Sequence, residues 1–249
     1  MHTITLFSVP VRNVTLKQAI DSVLQSLSQS VPAQIFFLNA HGVTIAHRDS
    51  RYRQALQQAT HVFADGIGMR LAAALFRALL VDNVNGTDLF PLLCEALQNT
   101  EVRIFLLGAE PGIAEQMRVQ TLNRYPGLRF CGTHHGYFSP DEETHVLDMI
   151  RCEKTDLLLV GLGIPRQEKW IAEHLQACGV KVAIGVGGLF DFYSCKISRA
   201  PLWMRKIGLE WFYRLLQEPS RLWKRYLFGN MYFLGLVLLE YLKRKERIQ

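Results

Sequence analysis

Cysteine is scarce and scattered in this chain. The five thiols, Cys94, Cys131, Cys152, Cys178 and Cys195, are odd in number and show no Cys-x-x-Cys pair or Cys/His ligand spacing. That excludes a disulfide framework and a zinc ribbon, and it predicts reduced thiols in a cytosolic protein. A spanning helix needs about 20 predominantly apolar residues. The strongest apolar stretch, Tyr226 to Leu242, is interrupted by Asn230 and Glu240 and followed by Lys243, Arg244 and Lys245. This predicts a helix resting at an anionic lipid interface, with a helix docked on the body or on a second subunit as the alternative. The N-terminus lacks a basic start and a long apolar core. Met1 to Pro10 alternates apolar and polar residues instead, which predicts a strand and not a secretory leader. No Asp-x-Asp pair occurs, so the usual carboxylate device for a divalent ion on a diphosphate is missing.

Asp is also absent after Asp191. Between Arg199 and Arg247 there are 11 Lys or Arg against 4 Glu, whereas the remainder of the chain is close to neutral. A basic tail on a neutral body points to anionic partners: phospholipid headgroups, phosphorylated substrates or nucleic acid. Hydrophobic residues make up 49% and charged residues 20%, which is a globular composition and excludes a disordered or fibrous chain.

Short β-rich apolar runs alternate with helical patterns along most of the chain. Ile35–Leu38, His61–Ala64, Val102–Leu107, Leu128–Cys131, Leu157–Val160 and Val180–Val186 each suit a buried strand. Thr15 and Thr87 are placed to cap helices, Pro111 lies near the start of another, and Pro165 stands at a first-turn position. Such alternation predicts an α/β fold: a Rossmann-like parallel sheet flanked by helices, with ligands at the carboxyl ends of the strands. Near residues 195–200 the strand pattern stops. The division expected is a catalytic body over 1–198 and a basic, aromatic helical appendage over 199–249.

The chemistry-bearing segments follow strands. Asp65 ends one and precedes Gly66 and Gly68, where a carboxylate can serve as a general base or merely cap a helix. Gly161-Leu162-Gly163-Ile164-Pro165-Arg166-Gln167 opens a helix as a dinucleotide loop does, but Arg166 occupies the third glycine position, which disfavours NAD binding. Its backbone N–H groups still suit a phosphate, and Gln167 can donate to a sugar or base. Gly187 and Gly188 after another strand permit close ligand approach, with Asp191 able to hold a substrate hydroxyl or to be a buried structural carboxylate. His134 and His135 stand side by side. On an extended segment they would point to opposite faces, which argues against a metal site.

Ala64-Asp65-Gly66, Asn85-Gly86-Thr87-Asp88-Leu89, Phe105-Leu106-Leu107-Gly108, Gly132-Thr133-His134-His135-Gly136-Tyr137-Phe138, the segment from Gly161 to Trp170, Gly185-Val186-Gly187-Gly188 and Gly208-Leu209-Glu210-Trp211 with Tyr213-Arg214-Leu215 stand in one order. Together they resemble the WecG/TagA/CpsF glycosyltransferases over about residues 3 to 227. The resemblance implies an inverting, metal-independent enzyme without a cofactor. It would move a sugar, N-acetylmannosamine or another hexose, from a UDP-sugar to an undecaprenyl-diphosphate-linked saccharide at the inner face of the cell membrane, and bind no nucleic acid. By the same resemblance Asp65 is the base. Asn39 and Gln167 match pocket positions, Arg214 and Arg221 match arginines that bind the diphosphate, and Lys224 stands where a further basic residue is expected. Asn85, Gly108, Gly161, Gly163, Gly187, Gly188 and Asp191, in the strand-end segments, are the further candidates for the substrate site. Phe37, Asn83 and Leu189 depart from the family pattern, where Thr, Arg and a small or hydroxylated residue are usual. These departures bear on the donor sugar. The competing readings are another nucleotide-dependent Rossmann enzyme, or a membrane- or nucleic-acid-binding module that works through the basic tail.

Overall fold

The computed structural model describes residues 2–246. The chain opens with β1 (His2–Leu6) and β2 (Val9–Asn13), then α1 (Leu16–Leu27), β3 (Ala33–Leu38), α2 (Ala40–Arg48), α3 (Ser50–Gln58) and β4 (His61–Ala64). Next come α4 (Ile67–Leu75), α5 (Gly86–Leu97), β5 (Arg103–Gly108), α6 (Ile113–Arg124), β6 (Arg129–His134) and α7 (Pro140–Cys152). β7 (Leu157–Gly161), α8 (Arg166–Cys178), β8 (Val182–Gly185) and α9 (Leu189–Tyr193) complete the strand-containing part. α10 (Leu202–Lys206), α11 (Glu210–Gln217) and α12 (Pro219–Glu246) follow.

The eight strands form one sheet in the order β1-β2-β4-β3-β8-β7-β5-β6, and every pairing except β1 with β2 is parallel. Alternate side chains of β3 feed two cores, one on each face. Phe36 and Leu38 join one with Tyr52, Trp170 and Val160, while Ile35 and Phe37 join the other with Leu93, Leu106 and Phe190. Both faces are thus covered by helices, as a sheet of near-continuous apolar strands requires.

Three local expectations change. The segment Met1 to Pro10 is not one strand: residues 2–6 and 9–13 form an antiparallel hairpin. Its turn residues Phe7 and Ser8 take φ of 52° and 63°, a left-handed pair without the Asn or Gly that normally announces such a turn. Packing holds it, because the Phe7 ring lies 5.5 Å from Phe76 and 5.7 Å from Phe233. Thr15 does cap α1, in a capping box with Gln18. The cap of α5 is Asn85 and not Thr87; its side chain accepts from the Asp88 N–H at 2.8 Å. His134 and His135 do not point apart. β6 ends at His134, so strand alternation no longer applies, and the two rings lie 4.5 Å from each other. All five cysteines are free thiols.

The basic tail is helical, and α12 packs along α2. Its Phe233, Leu236 and Val237 are buried in the core that also holds Leu6, Phe36 and Phe76. The docked-helix alternative therefore describes one side of α12. The other side exposes Leu227, Phe228, Met231, Leu238 and Leu239. No helix among the described residues is long and apolar enough to cross a membrane.

Candidate active site

Four neighbouring strands, β4, β3, β8 and β7, end at the floor of a cavity of about 750 Å³, and α11 and α12 roof it. The β3–β4 register pairs Leu38 with Ala64, so the next residues, Asn39 and Asp65, emerge side by side. Asn39 caps α2 by accepting from the Gly42 N–H at 3.0 Å, which turns its amide N–H₂ toward the Asp65 carboxylate. The backbone of Asp65 is tied to Leu38 O at 2.9 Å. Beyond it, Gly66 takes φ 91° and donates to Asn83 Oδ1 at 2.6 Å. Asn83, which departs from the family pattern, thus holds the loop that carries the carboxylate.

Burial is the main force on Asp65. Loss of hydration pushes its carboxyl up to about 6, with the nearby negative charges of Glu210 and Asp88 acting in the same direction. The Asn39 hydrogen bond and the Arg225 guanidinium oppose that shift without cancelling it. A carboxylate poised near neutrality in a cavity matches the requirement of a general base. His41, also at the cavity, is pushed down to about 4 by burial and by Arg225, so at neutral pH it is uncharged.

The opposite wall is glycine-lined. Gly163, Gly187 and Gly188 face the cavity, and the terminal nitrogen of Arg214 lies where a Cβ on Gly188 would come within 2.6 Å. Only glycine lets that guanidinium lie against the strand-end loop. Arg214 is also oriented by Glu218, at 3.4 Å, and by the Phe192 ring, at 5.2 Å from the guanidinium carbon.

Several residues singled out from the sequence sit elsewhere or are otherwise engaged. Gln167 lines the cavity, but its oxygen accepts from the Gly187 N–H at 2.9 Å and its nitrogen donates to Glu168 at 2.8 Å. It braces the glycine loop. Asn85 lines the cavity as well, with its side chain engaged in the α5 cap and its amide donating to Asp88 at 2.7 Å. Gly108 and Gly161 lie outside the cavity lining. A Cβ on Gly108 would fall 2.5 Å from the Gly161 backbone and one on Gly161 would fall 3.0 Å from the Gly187 carbonyl oxygen, so these glycines serve close backbone contacts, between β5 and β7 and between β7 and the loop after β8. Asp191 is buried outside the cavity with Lys196 Nζ 3.9 Å away. Lys224 is exposed and stands over the Trp223 ring at 5.6 Å, away from the cavity. The next residue, Arg225, faces Asp65 instead. A one-residue step on a helix rotates a side chain by about 100°, and spacing alone had not shown which of the two adjacent cations turns inward. The Arg221 side chain lies outside the described residues.

A second cluster ties the roof to the body. Arg199 donates to Asp88 at 2.7 Å and to both oxygens of Glu210, at 3.0 and 3.2 Å, linking α5 to α11. Arg199→Met is expected to lower stability by about 2 kcal/mol, the scale of lost hydrogen bonds to charged groups, and to reduce activity, because Glu210 also acts on Asp65. Denaturant melts and initial rates check this. Arg199→Lys should recover only part of the loss, since an ammonium lacks the planar fork that spans both carboxylates. Wild-type stability in the Met variant would show that the link is idle.

A Rossmann-like sheet whose strand ends gather a half-buried carboxylate, a glycine-rich wall and inward-facing arginines suits a group-transfer enzyme. The chain belongs to the WecG/TagA/CpsF family of glycosyl transferases, whose model matches residues 4–247. It is similar to the N-acetylglucosaminyldiphosphoundecaprenol N-acetyl-β-D-mannosaminyltransferase of Bacillus subtilis (strain 168). The two are 33% identical over 228 residues, 91% of this chain and 88% of the relative. The enzyme of the same description from Staphylococcus aureus (strain MRSA252) is 29% identical over 248 residues, 99% of this chain and 94% of the relative. The protein is a glycosyltransferase.

Proposed function

We propose that this glycosyltransferase moves a hexose, N-acetylmannosamine or a close relative, from a UDP-sugar to a saccharide linked to undecaprenyl diphosphate. The observation that carries the reading is the half-buried Asp65 carboxylate at the end of β4, in a cavity that also receives Arg214 and Arg225; loss of hydration there raises its carboxyl to about 6. Asp65 takes the proton of the acceptor hydroxyl as its oxygen bonds to the anomeric carbon. The bond from that carbon to the UDP oxygen breaks, and UDP leaves with the electron pair. A single displacement from the opposite face inverts the anomeric centre. Arg214 and Arg225 oppose the charge that develops on the diphosphate. Phe37, whose ring would lie 3.4 Å from a Cβ on Gly86, and the buried Leu189 shape the donor side, where the chain departs from the family pattern.

The exposed apolar side of α12 and Lys243 to Lys245 support contact with the anionic inner surface of the membrane, where such an acceptor resides. The body and roof division at residues 198/199 fits this arrangement, the roof closing the cavity and meeting the lipid.

A panel of UDP-hexoses with a lipid-linked N-acetylglucosamine acceptor, read by UDP release and product mass, tests the reading. Turnover confined to acceptor-containing mixtures is expected. Absence of turnover with every UDP-sugar, together with tight binding of NAD or of RNA in parallel binding controls, would overturn it. EDTA is expected to leave the rate unchanged, because arginines face the diphosphate position and no group of three His, Cys, Asp or Glu among the described residues is arranged to hold a metal ion. A rate lost on chelation and restored by magnesium would refute metal independence.

A further inference from the structure

The cavity has two chemically distinct ends. Around Asp65 it is polar, with Asn39, Arg214 and Arg225. Away from Asp65 it continues as a groove between α4 and α12. α4 begins immediately after Asp65-Gly66, and its Ile67, Leu71 and Leu75, spaced by four, all face the groove. On α12 the polar end is marked by Arg225 and Tyr226; one turn further come Gly229 and Asn230, and beyond them Phe233, Leu234 and Val237 face the same groove. The helices close on each other at the floor, where a Cβ on Gly68 would lie 3.4 Å from the Phe233 ring. At Gly229 nothing lies within 4 Å of such an atom, so the groove is open there.

Leu71, Leu75 and Leu234 are 65%, 46% and 59% exposed although they line a concavity, and leaving that surface in water is unfavourable. Leu227, Phe228, Met231 and Leu238 do not line it, and Leu234, one helical turn from both Met231 and Leu238, stands where the groove opens beside the side suited to a membrane surface. A cavity with cations at one end and a mainly apolar trough at the other, with Asn230 the polar side chain on its α12 side, complements an amphiphile whose charged head is joined directly to an apolar chain.

We propose that the α4–α12 groove holds the first isoprene units of the acceptor's polyprenyl chain while its diphosphate lies at the arginine end. The inference rests on the acceptor class proposed above. It makes the enzyme read the lipid as well as the sugar, and it draws the chain's proximal end out of the bilayer along α12.

Calorimetry with dimethylallyl, geranyl and farnesyl diphosphate, without vesicles or detergent, tests the groove separately from transfer. Affinity is expected to tighten at least about tenfold from the five-carbon to the fifteen-carbon chain, as apolar burial adds to a constant head contact. Leu71→Asn and Leu234→Asn, both at exposed positions, should bring the three affinities close together. Leu238→Asn, on the outward side, should keep the full spread. Equal affinities in the wild type, or an equal loss of the spread in Leu238→Asn, would overturn the proposal. If chain length tightens binding but no UDP-sugar is turned over, the groove stands and the proposed transfer reaction fails.

Discussion

Asp65→Asn is expected to cut transfer by about 10²–10⁴-fold, the usual loss when a general base is removed, while the fold becomes more stable at alkaline pH. Asn keeps the shape and can still meet the Asn39 amide, but it cannot accept the acceptor's proton. The stability change follows from the shifted carboxyl. Its ordinary value is 3.8 and burial raises it to about 6, so within that window the native state holds a proton that the unfolded chain has released. Stability therefore falls as pH rises from 3.8 to about 6, and the full cost of the buried charge is present above about 6. The Asn variant escapes that cost. Its melting temperature should exceed that of the wild type at pH 8 and converge with it below pH 4. In the wild type, the rate at low substrate should rise with pH through about 6 as the carboxyl ionises. A variant with near-normal turnover, or one no more stable at pH 8 than at pH 4 relative to wild type, would remove Asp65 from the role of buried base.

Phe233→Ala should have the second-largest effect, and mainly on structure. The ring is 4% exposed, 5.7 Å from Phe7, and in contact with the position of Gly68. Truncating a buried Phe typically costs about 3–5 kcal/mol. Here the loss falls on the contact that fastens α12 to the sheet, and α12 also carries Arg225 into the cavity. Transfer should fall more steeply with temperature than in the wild type, and thermal melting should start earlier. Removing everything from residue 199 onward is expected to be worse, because Phe233, Leu236 and Val237 leave together and expose Phe7, Phe36 and Phe76. A Phe233→Ala protein that melts like the wild type would show that α12 is only loosely attached.

Much of the sheet was legible from residue pattern. The runs at 35–38, 61–64 and 157–160 each fall inside an observed strand, because a strand buried on both faces must be apolar at nearly every position. The place of Asp65 was legible for the same reason: a carboxylate directly after such a run, followed by glycine, can only emerge at the carboxyl edge. The hairpin at Phe7-Ser8 was not, since its left-handed turn is held by rings from residues 76 and 233, far along the chain.

Nor was the division of labour at the site. Asn85 and Gln167 have side chains able to bind a sugar, yet their hydrogen bonds go to a helix cap and a loop brace. Gly108 and Gly161 belong to close backbone contacts. Lys224 and Arg225 are adjacent cations, and which one enters the cavity depends on how α12 is rotated when Phe233 seats against Phe7. What the sequence by itself determined is the kind of protein: the alternation that forces a covered parallel sheet, the carboxylate at a strand end and the cationic helical tail. The tertiary structure alone decided which groups meet. Hydrogen-bond partners, burial and the raised Asp65 carboxyl are properties of contacts between residues distant in the chain, and no local pattern encodes the rotation of one helix against another.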